Sequence, residues 1–101
     1  MRTVTVLEDA AEDIESGRMF YNRIEYGVGE YFIQSIIADL ERLQFLHGIH
    51  NQHFGLFRML AGRFPFGIYY RETETATEVI AILDLRRNPA WIRKEIAGRG
   101  A

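Results

Sequence analysis

The stretch "EVIAILDLRR", residues 78–87, decides how the rest of the chain is interpreted. Its alternate positions from Val79 to Leu85 are apolar, and so are the intervening Ile80 and Ile82, so a strand built from it is apolar on both faces. Such a strand is typical of the centre of a sheet that is covered on both sides. The apolar pattern breaks at Asp84 and Arg86, so we expect the strand to leave the core at its C-terminal end.

The segments around this strand predict three more strands and a short helix. Both "FPFGIYYRE" (residues 64–72) and "LFRML" (residues 56–60) have strand composition, and the β-branched "RTVTVL" (residues 2–7) predicts a first strand. After the arginines, Asn88 followed by Pro89 predicts a helix with Asn as N-cap and Pro at the first helical position.

Two amphipathic helices are predicted between the first strand and the others. Apolar or small residues recur at spacings of four and three from Ala10 to Val28, and a second wide apolar face runs from about Glu30 to Leu46. Asp9 is the expected N-cap of the first helix, and Gly17 is expected where a neighbouring backbone approaches closely. The short link between the helices predicts an antiparallel hairpin.

The predicted order is therefore β-α-α-β-β-β-α. We expect an α+β fold in which a helical hairpin packs on one face of a small antiparallel sheet. With 101 residues, the chain is long enough for one compact domain, residues 1–101, and too short for two.

Composition narrows the class of protein. There is no cysteine, so disulfides and thiolate metal sites are excluded. No apolar run approaches the roughly 20 residues of a membrane span, and the N-terminus lacks the apolar centre of a signal peptide. We therefore expect a cytoplasmic protein without membrane contact. The net charge of −2 is unevenly divided, because residues 1–50 hold four Arg and nine acids while residues 51–101 hold eight bases and five acids.

The sequence resembles the RelE/ParE toxin superfamily of bacterial type II toxin–antitoxin systems. The similarity extends over nearly the whole chain and depends most on "FRMLAGRFPFGIYYR" (residues 57–71) and "AILDLRRNPAWIR" (residues 81–93). Together these are similar to the ParE-like, plasmid-stabilisation branch. The resemblance implies a cytoplasmic toxin without a cofactor that a cognate antitoxin neutralises. It implies DNA gyrase as the target in the ParE branch, and mRNA on the ribosome in the RelE branch.

Chemistry favours the ParE branch. RNA cleavage by the 2′-hydroxyl needs a base, an acid and cations around the phosphate. RelE-type enzymes take part of this from a C-terminal Tyr or His, whereas no Tyr or His follows Tyr70 here. The alternative is a ribosome-dependent mRNA endonuclease, and its candidate catalytic residues are Arg58, Arg63, Arg86, His50 and His53. A third interpretation is an inactive member of the family that only binds its antitoxin.

A protein-binding site is the preferred interpretation of the doubled arginine. Two adjacent guanidinium groups at the mouth of a buried strand repel each other unless an anion lies nearby, and a partner's carboxylate would supply one. The predicted partner-binding residues are Arg63, Tyr69, Arg71, Arg86, Arg87 and Trp91. The spacing H-x-x-H-x-x-H from His47 to His53 crosses a glycine and a predicted loop, so solvated histidines are favoured there over a metal site.

Overall fold

The structure is a computed structural model that describes residues 1–99. Three helices pack on one five-stranded sheet, and the predicted α+β class is confirmed. The elements in chain order are β1 (Thr3–Val6), α1 (Glu8–Ile24), α2 (Val28–Leu46), β2 (Gln52–His53), β3 (Leu56–Leu60), β4 (Phe66–Glu72), β5 (Ala76–Asp84) and α3 (Pro89–Ala97). Within residues 1–99, no helix combines the length and apolar character needed to cross a membrane.

The strand that the sequence placed at the centre, β5, lies between β1 and β4 in the sheet order β1-β5-β4-β3-β2. Strands β2 to β5 pair antiparallel, as predicted, and β1 adds a parallel edge with the register Thr3↔Ala76 to Val6↔Val79. The sheet is therefore mixed rather than purely antiparallel. The helical hairpin returns the chain to the end of the sheet at which β1 begins, and β5 runs in the same direction as β1. The two-residue β2 was not predicted, since its residues lie in a segment that was expected to be a loop.

A β-bulge in β5 changes which of its side chains point to each face of the sheet. Tyr69 pairs with Ala81 and Tyr70 with Val79, which leaves Ile80 as an extra residue. The bulge reverses the alternation, so Val79 packs in the same core cluster as Ile82, and Ala81 packs in the other. The expectation that Val79 and Ala81 share a face was wrong for this reason.

The sheet separates two apolar layers. The larger layer lies under α1 and α2 and is centred on Phe32, Ile36, Ile68 and Tyr70, none of which is exposed to solvent. The smaller layer lies under α3, where Ile92 and Ile96 cover Tyr69, Ala81 and Leu83. β5 contributes side chains to both layers, which explains why its sequence is apolar on both faces.

Two predictions about the first helix need correction. Gly17 does approach a neighbour closely, but the neighbour is the ring of Phe32 rather than a backbone: a Cβ at residue 17 would lie 2.5 Å from it. Asp9 is not the N-cap, because α1 already begins at Glu8 and its first residues have no side-chain cap. The cap predicted for α3 is confirmed, since the Asn88 side chain accepts a hydrogen bond from the Ala90 amide at 2.7 Å.

An ion pair ties α1 and the end of α3 to β5. Asp13 on α1 accepts a hydrogen bond from the Ile82 amide at 2.9 Å and pairs with Arg99, which follows α3. Arg99 also donates to the Ile80 carbonyl at 3.2 Å. Both side chains are largely buried, and the hydrogen bonds that Arg99 donates to Asp13 raise the pKa of Arg99. This contact, called the Asp13–Arg99 clamp below, satisfies backbone groups of β5 that lie beyond the end of β1.

The central position of β5 predicts a strong effect of charge at Leu83, which is 4% exposed. Leu83→Asp places an unpaired carboxylate in the layer under α3, so we expect the free energy of unfolding to fall by about 3–5 kcal/mol. Urea denaturation followed by circular dichroism measures this. Leu60→Asp is the control, because Leu60 is 57% exposed and should change the same quantity by less than about 1 kcal/mol.

Candidate functional site

A groove of about 560 Å³ runs between α1 and α3 along the end of β5. The α1 wall includes Phe20 and Arg23, and the α3 wall includes Trp91. The floor is the stretch of β5 from Ile82 to Asp84, and Arg86 and Arg87 stand at the point where β5 leaves the sheet. The strand therefore leaves the core where the sequence predicted, and it does so into a groove with three arginines.

Arg86 and Asp84 form the best-defined contact in the groove. The Arg86 guanidinium donates to the Asp84 carboxylate at 2.7 Å and to the Tyr21 hydroxyl at 3.2 Å. The hydrogen bonds from Arg86 lower the pKa of Asp84, and the same contact raises the pKa of Arg86. Burial raises the pKa of Tyr21, so its hydroxyl keeps its proton at neutral pH. One of the two adjacent arginines is thus already paired with a carboxylate of this chain.

Arg87 and Arg23 carry the unneutralised charge of the groove. The Arg87 guanidinium lies 3.8 Å from the centre of the Trp91 ring, a cation–π contact that holds an exposed charge in place. Within residues 1–99, neither Arg87 nor Arg23 forms an ion pair. A carboxylate brought into the groove would therefore meet two available guanidinium groups.

The other predicted partner-binding residues lie outside this groove. Arg63 donates to the Tyr31 hydroxyl at 3.1 Å on the surface beside α2, and Arg71 pairs with Glu78 at 2.8 Å. Tyr69 is fully buried under α3, so its prediction as a partner-binding residue was wrong. Its place on the apolar strand β4 gave no sign of which face α3 would cover.

The nuclease candidates are not assembled into one site. Arg58, His50 and His53 line a separate pocket at the open end of β3, while Arg86 lines the groove and Arg63 contacts Tyr31. Arg58 lies apart from the groove because its side chain projects from the middle of β3 and packs over Gly67.

The three histidines have different surroundings. His47 contacts the Glu72 carboxylate at 3.1 Å, and the ring of His50 meets the hydroxyl of the buried Tyr70. Burial is the main cause that lowers the pKa of both His50 and His53. Tyr70 also accepts a hydrogen bond from the Gly48 amide at 2.9 Å, so its hydroxyl contacts the loop after α2 at both Gly48 and His50. His47 and His50 thus each connect the loop to β4, and among residues 1–99 no group of three or more His, Asp or Glu side chains is placed so that it could hold a metal ion.

Sequence reasoning missed the α1 wall of the groove. Phe20 and Arg23 are three residues apart and so lie on one flank of the helix, together with Asp13 and Ser16. The helical spacing of an exposed aromatic and an arginine was the available signal, but nothing in the sequence shows which flank of α1 faces α3.

The architecture described above is also found in a solved structure of another protein. No protein-family model and no curated protein matches the sequence. A solved structure does match: a chain of the chromosomal ParDE TA system from P. aeruginosa superposes with a TM-score of 0.72, over 81% of this chain and 94% of that chain, at 18% sequence identity. The protein has a ParDE-type fold. The ParDE-type fold confirms the resemblance seen in the sequence at the level of the backbone.

The Arg86–Asp84 contact predicts a specific dependence of stability on pH. Because Arg86 lowers the pKa of Asp84 below its ordinary 3.8, the unfolded chain takes up this proton at a higher pH than the folded chain does. The stabilisation is therefore complete above about pH 4 and is lost as the pH falls further.

Asp84→Asn should reduce the free energy of unfolding by no more than about 1 kcal/mol near pH 7. The difference from the wild type should shrink progressively as the pH falls below 3.8, the ordinary pKa of this carboxyl. Denaturant titrations across this range measure it. Glu41→Gln, which removes an exposed carboxylate on α2, is the control. A difference for Asp84→Asn that stays constant with pH would contradict the assigned ion pair.

Proposed function

We propose that this protein is the toxin of a type II toxin–antitoxin system, of the ParE-like kind. It inhibits growth in the cytoplasm by binding a protein target such as DNA gyrase, and a cognate antitoxin neutralises it. The ParDE-type fold supports the assignment to a toxin–antitoxin system. The observation that supports binding to a protein target is the groove between α1 and α3, which is lined by both arginines and aromatic side chains.

The composition of the groove favours binding a protein over cutting RNA. Arginine and tryptophan are the residues that most often dominate the energy of protein interfaces. The carboxylates that line the groove, Asp13, Asp84 and Glu95, each pair with an arginine of this chain. For Asp84, the hydrogen bonds from Arg86 lower the pKa of the carboxyl, which makes it a poor proton donor or acceptor near neutral pH. The groove thus supplies cations and apolar surface but little acid–base chemistry.

Two assays on the purified protein separate the candidate targets. In the first, gyrase supercoils relaxed plasmid with increasing amounts of the protein, and we expect inhibition at micromolar concentrations or below. In the second, the protein is added to ribosomes that translate a defined mRNA, which we expect to stay intact. Cleavage within codons at the ribosome would instead establish the RelE-like alternative. No effect in either assay, together with binding to an antitoxin, would identify an inactive family member.

The arginines at the end of β5 are the residues to test in cells. Arg86→Ala with Arg87→Ala should abolish growth inhibition on induction, because the partner loses the charges that it recognises. Both side chains are exposed, so the melting temperature should fall by no more than a few degrees. The effect should appear as at least a tenfold recovery of colony counts.

The matched control removes the same charge from α3 instead of from the end of β5. Arg93 and Lys94 are exposed and lie outside the groove lining, so Arg93→Ala with Lys94→Ala should remain toxic. Full toxicity of the Arg86/Arg87 variant would show that the groove is not the functional surface. Equal loss in both variants would show that net charge, rather than position, matters.

A further inference from the structure

The loop that joins β3 to β4 presents Arg63 on a rigid base. On one side of Arg63, the Gly62 amide donates to the buried carboxylate of Asp39 on α2, at 3.2 Å from each oxygen. On the other side, the Pro65 carbonyl accepts from the Leu85 amide at 2.8 Å. A side chain between two anchored neighbours loses little conformational freedom when it binds a partner.

The side chain of Arg63 is itself held beside an aromatic ring. Its guanidinium donates to the Tyr31 hydroxyl at 3.1 Å and lies 5.9 Å from the centre of the Tyr31 ring. Arg63 is exposed and Tyr31 is half exposed. Within the part of the chain that the structure describes, residues 1–99, Arg63 forms no ion pair. A positioned guanidinium whose charge is not neutralised is suited to bind a carboxylate of another protein.

A series of packed aromatic rings connects Arg63 and Tyr31 to the groove. The ring of Phe64 lies 5.6 Å from that of Tyr31 and 4.7 Å from that of Tyr21, measured between ring centres. Tyr21 in turn packs edge-on against Phe20 at 5.1 Å, and Phe20 lines the groove. These rings lie where α1 ends and α2 begins. We call the exposed part of this layer, formed by Phe20, Tyr31, Arg63 and Phe64, the hairpin-end surface.

The groove alone is small for a stable complex between two proteins. Thirteen residues line it, whereas each side of a stable interface usually supplies about 20–30 residues. A protein that binds in the groove must therefore also cover a neighbouring surface. Towards the start of α1, the groove ends at the Asp13–Arg99 clamp, whose charges are already paired. Towards the end of α1 it meets the hairpin-end surface, whose aromatic and arginine side chains are typical of the residues that dominate interface energies.

We propose that the hairpin-end surface is a second contact site for the target protein, at which Arg63 and Tyr31 bind a carboxylate side chain of that protein. This inference rests on the proposed function, because it takes the growth-inhibited target as the partner. It adds the chemistry of the surface that is recognised. That surface has two separate acidic positions, one for the groove arginines and one for Arg63, with apolar surface between them that covers Phe20 and Phe64.

Arg63→Ala and its matched control Arg93→Ala isolate this contact. Arg93 is also exposed and lies 5.6 Å from the centre of an aromatic ring, that of Phe54, but it is on α3 and outside the groove lining. The probe is purified gyrase that supercoils relaxed plasmid, and the measured quantity is the toxin concentration for half-maximal inhibition. Arg63→Ala should raise this concentration at least about tenfold, and Arg93→Ala by less than about twofold. Tyr31→Phe, which removes only the hydroxyl, should give a smaller increase than Arg63→Ala.

Growth assays with the same variants apply to a protein target other than gyrase. At equal protein levels, Arg63→Ala should give at least about tenfold more colonies on induction than the wild type or Arg93→Ala. Because Arg63 is exposed, its melting temperature should fall by no more than a few degrees, which separates lost binding from lost folding.

The outcomes distinguish this inference from the proposed function. If the wild type inhibits gyrase or growth and Arg63→Ala does so equally, the inference is overturned while the proposed function stands. Weaker binding of Arg63→Ala to the purified product of the adjacent reading frame, with inhibition unchanged, would assign the hairpin-end surface to the antitoxin and also overturn the inference. If the wild type inhibits neither gyrase nor growth, the proposed function fails, and the inference fails with it.

Discussion

The fold depends on how the end of β5 is held once β1 has stopped. Asp13 from α1 binds the Ile82 amide, and Arg99 binds both Asp13 and the Ile80 carbonyl. Elements from the two ends of the chain thereby meet on one strand edge, at a place where backbone groups would otherwise lack partners. The clamp fixes α1 and α3 on either side of that edge, so it also sets the width of the groove between them.

The electrostatic properties of this protein depend on pairs of neighbouring side chains more than on its net charge. The chain carries a net charge of −2, and most of its arginines are paired with carboxylates nearby in the fold. Two of the guanidinium groups that form no ion pair within residues 1–99, those of Arg23 and Arg87, lie in the groove where β5 leaves the core, and Arg87 is held on Trp91. A weakly acidic protein can thus present a cationic site without a general affinity for nucleic acids.

The sequence predicted the elements whose signals are local. It did not predict the features that depend on tertiary contacts. The two-sided apolar pattern of residues 78–85 located the central strand, and Asn88-Pro89 located α3, because both signals are local. The bulge at Ile80 left no local signal, so the faces of Val79 and Ala81 were wrongly assigned. Of the residues that line the groove, Arg86, Arg87 and Trp91 had been predicted as partner-binding residues from their position after the strand. Phe20 and Arg23 were missed because α1 meets α3 only in three dimensions.

The hydrogen bond from Ile82 to Asp13 has a further consequence for solubility. Open edges invite two copies of a protein to join their sheets, and this commonly begins with antiparallel pairing. Here the Asp13 carboxylate already occupies the Ile82 amide that such a contact would use, and the paired side chains of Asp13 and Arg99 fill the place where another strand would lie. The Asp13–Arg99 clamp thus protects part of this edge from antiparallel pairing with a second copy of the protein.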